Sequence, residues 1–436
     1  MRAGNRLGVI VFPAFDWAIS PTHPERQERL LYTQDQLREE GIFDIPGITE
    51  YKPEIASVED VARVHFCIPD VASVTTESHL ISAGGAVRAA RLIMEGQADK
   101  AFALVRPPGH HAMKVVHGNR GFCNVNIEAV MIEWIREHYG QKRIAIVDTD
   151  CHHGDGTQDI YWHDPNTLFI SLHQDGRTLY PGSGHLEELG GPNAFAKTIN
   201  IPLPPMTGDE GFLHVIDNIV IPILNDFRPD LVINSAGQDN HYSDPITNML
   251  FTARGYALLN EKLSPDIAVL EGGYSIQGAL PYVNCGIVLA MAGLDYSFLR
   301  EPDHDAQRLR QDPRVTRQIR LMTDAVLENY FRPKRKDFPD PGTFISRRKR
   351  IFYDTDMIAD EQVESVMRCS ECAGVLIIES DSSINPPALC IEIPLGACAR
   401  CREAGLQRHE QQLARGRHRI LQLINRPDKI YENRSV

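Results

Sequence analysis

Short continuous apolar runs alternate with segments of helical spacing along the first 300 residues. The apolar runs lie at residues 100–105, 143–148, 167–173, 231–236 and 267–273. Continuous runs of this kind are typical of strands buried on both faces of a parallel sheet. The segments with helical spacing lie at residues 79–96, 124–139, 209–226, 250–263 and 276–293. This alternation predicts an α/β domain whose central sheet is mostly parallel and is covered by helices on both faces.

Polar residues cluster where four of the predicted strands end. The clusters are RPPGHHA after residues 100–105, DTDCHHGDG from residue 148, GQDNHYSDP from residue 237 and EGGYS from residue 271. Ligand sites of open parallel sheets lie beyond the carboxyl ends of the strands. The four clusters therefore predict a single site at one edge of the sheet.

The second cluster has the residue types of a metal site. Asp148, Asp150 and His152 are spaced by two, so on an extended segment their side chains face the same side. Carboxylate and imidazole groups suit a divalent metal such as zinc, and Asp244 from another strand end could complete the set. Three protein ligands leave one coordination position open, which is typical of catalytic zinc sites.

The other clusters supply proton-transfer groups. His110 and His111 are adjacent in a turn rich in Pro and Gly, and each needs a partner that fixes its tautomer. Asp148 and Asp155 are available, and a histidine backed by a carboxylate can act as a general base. Tyr274 follows two glycines, so its phenol could donate to a developing oxyanion. Metal, general base and oxyanion donor together indicate metal-assisted hydrolysis of an acyl bond.

Length and charge restrict the class of protein. A chain of 436 residues predicts one large α/β domain plus a smaller one. The net charge of −13 argues against a general nucleic-acid-binding protein. The sequence has no apolar run of the roughly 20 residues that cross a bilayer. The apolar stretch near the N-terminus is short and contains Pro13 and Asp16, so we expect a first buried strand there and a cytoplasmic protein.

At this point the motifs resemble those of the zinc-dependent histone deacetylase family. That family includes bacterial acetoin utilisation proteins and acetylpolyamine amidohydrolases. The matching motifs, in order, are SPTHPERQERL, RPPGHHA, RGFCNVN, VDTDCHHGDGTQ, ISLHQDGRTLYPGSG, SAGQDNHYSDP and LEGGYS. The resemblance covers about residues 5–300, and it implies a three-layer fold of the arginase and deacetylase type over residues 1–300.

The resemblance also implies a role for each residue of the predicted site. The implied zinc ligands are Asp150, His152 and Asp244. The implied pairs of histidine and carboxylate are His110 with Asp148 and His111 with Asp155, and His111 is the main general base and acid. Tyr274 would polarise the acetyl carbonyl. His153 has no metal role in this pattern.

Further residues match the family's substrate tunnel and its cation site. Gly121 and Phe122 match the tunnel wall, and Tyr180 takes the place where many members have a second Phe. A hydroxyl there would change the polarity of the tunnel. A monovalent-cation site, usually filled by potassium, is implied at Ser171 and Leu172 together with the carbonyls of Asp148, Asp150 and His152.

Three functions are compatible with the sequence. The first is a deacetylase that acts on acetyl-lysine in a protein or on a related acylated amine. The second is an amidohydrolase for acetylpolyamines or other small molecules. The segment PITNMLF after Asp244 has no carboxylate that could attract a polyamine, although Asp175 could lie near the rim. The third is an inactive binding protein, which the complete set of ligands, bases and Tyr274 disfavours.

The C-terminal part contains a second candidate metal site. Two C-x-x-C pairs, Cys369 with Cys372 and Cys398 with Cys401, have the spacing of a zinc ribbon with a structural zinc ion. The predicted division of this part is a helix and a linker rich in Pro and basic residues over 301–360, the ribbon over 361–405 and a helical tail over 406–436. The ribbon could dock on the catalytic domain, form a dimer with a second copy of the chain, or bind a protein partner.

Overall fold

Eight parallel strands form the central sheet of the computed structural model, which describes residues 2–14, 17–20, 22–334 and 336–435. In chain order, the strands of the whole structure are β1 Leu7–Phe12, β2 Ile48–Tyr51, β3 Phe66–Cys67, β4 Lys100–Val105, β5 Val115–Val116, β6 Ile144–Asp148, β7 Thr167–Gln174, β8 Thr198–Leu203, β9 Leu231–Ser235, β10 Ile267–Val269, β11 Phe344–Tyr353, β12 Ile358–Met367, β13 Leu376–Ser382, β14 Ala388–Ile393, β15 Ile420–Asn425 and β16 Ile430–Ser435. The central sheet has the order β2-β1-β4-β10-β9-β6-β7-β8, and every neighbouring pair in it is parallel.

Helices cover both faces of this sheet. They are α1 Glu28–Glu39, α2 Val58–Ala62, α3 Val71–Val74, α4 Glu77–Met94, α5 Ile127–Tyr139, α6 Asp155–Tyr161, α7 Asp209–Val215, α8 Ile221–Phe227, α9 Ala253–Leu263, α10 Leu280–Met291, α11 Pro313–Phe331 and α12 Ala399–Arg415. A π-helical segment, Ile216–Val220, joins α7 to α8. One face packs its core against α1 and α7 to α11, and the other against α2 to α6. The predicted three-layer α/β fold is confirmed.

The predicted strands are present, with one difference that bears on the site. The apolar run at residues 267–273 forms a strand only as far as Val269. Leu270 still donates its backbone N–H to the carbonyl of Ala103 on β4. The residues after it turn toward the neighbouring strand ends, where the Glu271 carboxylate accepts from the backbone N–H of Gly109. Strands β2 and β8 were not predicted, because their short sequences mix polar and apolar residues.

The C-terminal part is larger and richer in strands than the sequence predicts. Its six strands follow the order β11 to β16, and all neighbouring pairs are antiparallel except β14 with β15. The expected linker at 301–360 therefore contains the edge strand β11 and the start of β12. Arg347 and Lys349 on β11 pair with Glu364 of β12, so basic residues that resembled a solvated connector belong to a strand face.

The predicted helical tail over 406–436 is wrong. Helix α12 begins before it, at Ala399, and ends at Arg415, because Gly416 follows with φ of +58°. The chain then forms β15 and β16. Strand β15 has the sequence ILQLIN and is buried along its whole length, so burial within the second sheet decides its conformation.

The second sheet packs directly onto the part of the chain that contains the central sheet. One apolar cluster contains Phe66, Ile68 and Val115 from the first part and Ile378 and Ile424 from the second. The fully buried Lys114 lies 2.7 Å from Glu392 of β14, which adds an ion pair across the same interface. The two parts therefore share a core, and we expect them to unfold together.

Helix α11 belongs to the central layers. Its Ile319, Val326 and Tyr330 are buried in the core that covers one face of the central sheet. Within the described ranges, no helix combines the length and the apolar composition that a bilayer crossing requires.

Ile378→Ala should destabilise the protein by about 2–5 kcal/mol, because it removes a fully buried side chain from the cluster that joins the two parts. The free energy of unfolding, measured by urea titration, tests this value. Ile384→Ala is a matched control, since Ile384 is 62% exposed and its loss should change stability by less than about 0.5 kcal/mol. Two separate unfolding transitions in the wild-type protein would contradict a shared core.

Candidate active site

Four neighbouring strands of the central sheet deliver the predicted polar residues to one place. Strands β4, β10, β9 and β6 are consecutive in the sheet and parallel, so their carboxyl ends lie side by side. The segments that follow them carry His110 and His111, Tyr274, Asp244, and the group from Asp148 to Asp155. The convergence expected from the sequence is therefore present in the fold.

Each of the two adjacent histidines has its own carboxylate. His110 Nδ1 lies 3.2 Å from Asp148 Oδ2, and His111 Nδ1 lies 2.8 Å from Asp155 Oδ1. The two imidazole rings are 4.1 Å apart between centroids, and all four side chains are buried. A carboxylate at Nδ1 leaves Nε2 of each ring free to face the site.

The surroundings give the two histidines opposite charge states. Burial lowers the pKa of His110, but Asp150 and Asp148 outweigh it and raise that pKa well above its ordinary value. Burial, together with the neighbouring His110, lowers the pKa of His111 to about 3. His111 is therefore a neutral imidazole near pH 7, which is the form that can accept a proton.

A carboxylate and histidine group lies next to these pairs. Single ligand atoms of Asp150, His152 and Asp239 all lie within 4.8 Å of one another. His152 Nδ1 is 2.8 Å from Asp239 Oδ2 and 3.2 Å from Asp150 Oδ1. Asp244, the predicted ligand, is adjacent but differently engaged: it accepts hydrogen bonds from the backbone N–H groups of Tyr274 at 2.7 Å and Ile246 at 3.1 Å.

The charges of this group fit a bound cation. Asp150, Asp239 and Asp244 are all at least nine-tenths buried. Burial and the charge of Asp239 raise the pKa of Asp244 to about 7, and burial and Asp150 raise the pKa of Asp239. Carboxylates that repel one another out of water are stabilised by a divalent ion, and oxygen and imidazole donors are ligands that zinc accepts.

Two residues of the site were not singled out from the sequence. Asp239 holds Nδ1 of His152, and it also accepts from the backbone N–H of Cys151 at 2.7 Å. Glu271 is fully buried and accepts from the backbone N–H groups of Gly109 and His110 at 2.7 and 3.0 Å. Both lie inside quoted motifs, GQDNHYSDP and LEGGYS, so their position beside other candidates was the available signal.

A buried ionic network positions the loop that carries Tyr274. Arg29 donates from Nε to the carbonyl of Gly273 at 2.7 Å and from Nη2 to the carbonyl of Glu271 at 2.5 Å. Glu25 pairs with Arg29 and accepts from Arg106 Nε at 2.6 Å. Glu25 and Arg29 come from the predicted N-terminal loop over 20–30, of which Pro21 lies outside the described residues.

Aromatic rings surround the space above these groups. The Phe122 ring lies 5.8 Å from that of Tyr274 and 4.4 Å from that of His23, both edge to face. The Tyr180 ring lies 5.2 Å from that of His111. The predicted tunnel residues Phe122 and Tyr180 therefore lie beside Tyr274 and His111. Residue 121 has to be a glycine, because a Cβ at this position would collide with the His111 ring.

The remaining sequence candidates lie close to the site without joining the metal group. His153 contacts Ser183 Oγ at 2.8 Å through Nδ1 and Gln158 Oε1 at 3.1 Å through Nε2. Ser171 pairs in register with Asp148 across β7 and β6. Leu172, the next residue of β7, is fully buried. Because β6 and β7 are paired, the two segments that carry the expected potassium ligands are adjacent.

The four clustered cysteines form a second possible metal site at one end of the second sheet. Cys369 Sγ lies 3.6 Å from Cys372 Sγ and 3.8 Å from Cys398 Sγ, and Cys401 belongs to the same group. Four sulfurs bound tetrahedrally to zinc at about 2.3 Å would be about 3.8 Å apart. All nine cysteines of the chain are free thiols.

Comparison with known proteins identifies the family. The sequence profile of the family described as "Histone deacetylase domain" matches residues 70–286. An Archaeoglobus fulgidus protein named "Probable deacetylase" is 49% identical over 313 residues, which cover 65% of this chain and 86% of that protein. The chain belongs to the histone deacetylase family. The family and enzyme class expected from the motifs are thereby confirmed, and the chain is a deacetylase.

Two other members of the histone deacetylase family agree with this result. The acetoin utilization protein AcuC of Bacillus subtilis is 32% identical over 314 residues, covering 63% of this chain and 78% of that protein. The crystal structure of the HDA15 HD domain matches with a TM-score of 0.64 and 25% identity, covering 74% of this chain and 95% of that one. The second sheet, at residues 344–435, lies outside the matched family profile.

Proposed function

We propose that this deacetylase hydrolyses the N-acetyl amide of a lysine side chain, or of a related acylated amine, to acetate and free amine. The observation that carries the proposal is the grouping of two histidine–carboxylate pairs beside buried aspartates and His152, with Tyr274 and Phe122 facing the same space. This set contains a proton acceptor, a hydrogen-bond donor and metal ligands, which are the parts that metal-assisted amide hydrolysis needs.

Asp150, His152 and Asp244 would hold the catalytic zinc ion. When bound, the ion would polarise the acetyl carbonyl and lower the pKa of a water molecule. Asp244 is the better third ligand because it accepts only from backbone N–H groups, those of Tyr274 and Ile246, whereas Asp239 is already paired with the ring of His152 and accepts from the backbone N–H of Cys151. Asp239 would then fix the ring orientation of His152, as carboxylates behind metal-binding histidines commonly do.

His111 would carry the proton through the reaction. It is neutral near pH 7, and Asp155 holds its Nδ1, so its Nε2 can accept the proton of the attacking water. Once the carbon–nitrogen bond breaks, the same atom can return the proton to the leaving amine. Asp148 and Asp150 raise the pKa of His110 well above its ordinary value, and a protonated His110 would stabilise the negative charge that develops nearby.

Tyr274 would donate a hydrogen bond to the carbonyl oxygen as it becomes an oxyanion. Burial raises the pKa of Tyr274 well above its ordinary value, so its hydroxyl keeps its proton at neutral pH. Its backbone is fixed through Asp244 and through the contacts of Arg29 with Gly273. A donor that is already oriented before the reaction stabilises the oxyanion without a reorganisation cost.

A neutral acyl-lysine stem fits the tunnel better than a polyamine. Asp175, the carboxylate that could have attracted a polyamine near the rim, forms an ion pair with Arg177. Phe122 and Tyr180 supply apolar ring faces that suit a methylene chain. We also propose potassium at the site of Ser171, Leu172 and the carbonyls of Asp148, Asp150 and His152.

The cluster of Cys369, Cys372, Cys398 and Cys401 would hold a second, structural zinc ion. The sulfur separations of 3.6 and 3.8 Å match the tetrahedral spacing derived above. Free thiols in this number favour a reducing compartment, and hence the cytoplasm. That this part binds a protein partner or a second copy of the chain stays a prediction.

Tyr274→Phe and His111→Ala should each lower kcat by at least about 100-fold while the zinc content stays normal, because they remove the oxyanion donor and the proton carrier. Acetate release from an acetyl-lysine peptide and from an acetylpolyamine, measured side by side, tests both activity and substrate class. His153→Gln is the control, since His153 belongs to neither group. Equal turnover in Tyr274→Phe and wild type would overturn the role of Tyr274, and faster turnover of the polyamine would overturn the substrate class.

Asp244→Asn should abolish binding of the catalytic metal, whereas Asp239→Asn should weaken it by about 10- to 100-fold. Metal content after dialysis, measured by atomic emission, distinguishes the two. Retention of metal in Asp244→Asn together with complete loss in Asp239→Asn would reverse the two assignments.

Cys372→Ser combined with Cys401→Ser should reduce the zinc content from two ions per chain to one and lower the melting temperature, because a four-thiolate site contributes folding energy. The control is Cys285→Ala, which removes a buried thiol far from the cluster and should leave two ions bound. Two ions per chain in the double variant would disprove the site.

A further inference from the structure

The second sheet reaches the active site through the turn that joins β11 to β12. This turn, residues 354–356, is called the clamp turn below, and the segment 117–122 that carries Phe122 is called the tunnel loop. Asp354 Oδ1 accepts the backbone N–H of Gly121 at 2.9 Å, and Asp356 Oδ2 accepts that of Asn119 at 2.6 Å. The clamp turn therefore satisfies two backbone donors of the tunnel loop with carboxylates.

The clamp turn and the tunnel loop lie close together, and Gly118 makes this approach possible. Thr355 Oγ1 donates to Asn119 Oδ1 at 2.7 Å, which adds a third hydrogen bond between the two segments. A Cβ on Gly118 would collide with Asp356 and would press on Ile358 at 3.0 Å. The tunnel loop is thus shaped to receive the clamp turn.

The tunnel loop has a backbone conformation that needs such support. Gly121 has φ of +52° and Phe122 has φ of +70°, and a non-glycine residue rarely adopts the left-handed region. Conformations of this kind persist where the surroundings fix them by several contacts, and they concentrate at functional sites. The hydrogen bond from Gly121 to Asp354 lies directly at this position.

Arg120 extends the connection to the catalytic histidine. Its Nη1 donates to the backbone carbonyl of Phe352, on β11, at 2.7 Å, and its Nη2 forms an ion pair with Asp155. Asp155 in turn holds His111 Nδ1 at 2.8 Å. The guanidinium also lies over the Tyr180 ring at 5.6 Å. One planar group therefore links the second sheet, the carboxylate of the base and the tunnel wall.

These contacts differ from those that merely join the two parts of the chain. The larger shared apolar core lies elsewhere, around Phe66, Ile378 and Ile424, and a smaller apolar cluster that includes Met113 and Ile358 lies beside the clamp turn. The clamp turn instead uses directional hydrogen bonds to backbone groups beside Phe122, and Asp354 is only partly buried. Directional contacts between a partly exposed turn and a strained loop fix geometry more than they bury surface.

We propose that the second sheet completes the active site: Asp354 and Asp356 of the clamp turn are positioning residues for the tunnel wall, and Arg120 is a positioning residue for the Asp155–His111 pair. The effect on catalysis rests on the proposed deacetylase function. The physical link between the clamp turn and the tunnel loop does not, so it can be tested without substrate.

Asp354→Ala should raise KM for an acetyl-lysine peptide about tenfold with a smaller change in kcat, because the released Gly121 lets the tunnel wall move. Asp354→Asn should restore most of the loss, since its amide oxygen can still accept the Gly121 N–H. Glu361→Gln is the matched control: it neutralises an exposed carboxylate on β12, next to the clamp turn in sequence, and should keep wild-type constants.

Arg120→Ala should lower kcat about tenfold or more with little change in KM, because the orientation of Asp155 and His111 is lost. Arg120→Lys should recover part of kcat, since an ammonium group can still pair with Asp155 but cannot also reach Phe352 in the same plane. A merely structural role would lower the fraction of active enzyme and the melting temperature in all these variants alike, and would not separate kcat from KM.

Hydrogen–deuterium exchange of the full-length chain gives a readout that needs no activity. The Gly121 amide should exchange at least about tenfold faster in Asp354→Ala than in wild type or Glu361→Gln. Unchanged exchange at Gly121, or kinetic constants equal to wild type in Asp354→Ala, would overturn the proposal. If wild type releases no acetate from the peptide, the proposed substrate fails, while the exchange rate of Gly121 still decides whether the clamp turn holds the loop.

Discussion

The withdrawal of several like charges from water is the constraint on which the rest of this structure depends. Asp148, Asp150, Asp239 and Asp244 are buried at the ends of neighbouring strands. Burial and the neighbouring carboxylates raise the pKa of Asp148, Asp239 and Asp244, whereas His110 and His152 lower that of Asp150. A group of buried carboxylates is stable only where hydrogen-bond donors or positive charges offset the lost hydration and the repulsion. His110 and His152 and backbone N–H groups supply part of it, and a divalent cation would supply the rest.

The surrounding fold keeps these groups in place through further buried ionic contacts. Glu25 pairs with Arg29 and Arg106, and Arg29 holds the backbone that leads to Tyr274. Glu271 fixes the turn that carries His110 and His111, because its carboxylate accepts from the backbone N–H groups of Gly109 and His110. Because the members of these networks are buried, each depends on its partners, and removal of one would leave another charge unpaired.

The second sheet is part of the same arrangement. It shares an apolar cluster with the catalytic part, and its turn at 354–356 contacts the loop that bears Phe122. The histone deacetylase family profile matches residues 70–286 of this chain, which contain the residues of the proposed active site. The second sheet lies outside this segment and supports the site from there. The cysteine cluster lies at the far end of that sheet.

The sequence by itself determined the parallel sheet and the four strand ends, because continuous apolar runs and closely spaced polar residues are local signals. The pairing of His110 with Asp148 and of His111 with Asp155 was implied by the resemblance to the family, and the structure contains both contacts. Only the tertiary structure decided that Asp239 lies with Asp150 and His152, that the segment 420–435 forms strands rather than a helix, and that Asp354 reaches Gly121. The contacts in these features join residues between 5 positions apart, as Asn425 and Ile430 are, and more than 200 positions apart, as Gly121 and Asp354 are. Neither periodicity nor spacing in the sequence predicts which distant segments will pack together. The energy that selects them comes from burial in a shared core and from compensation of charge, and both act between segments that meet only after folding.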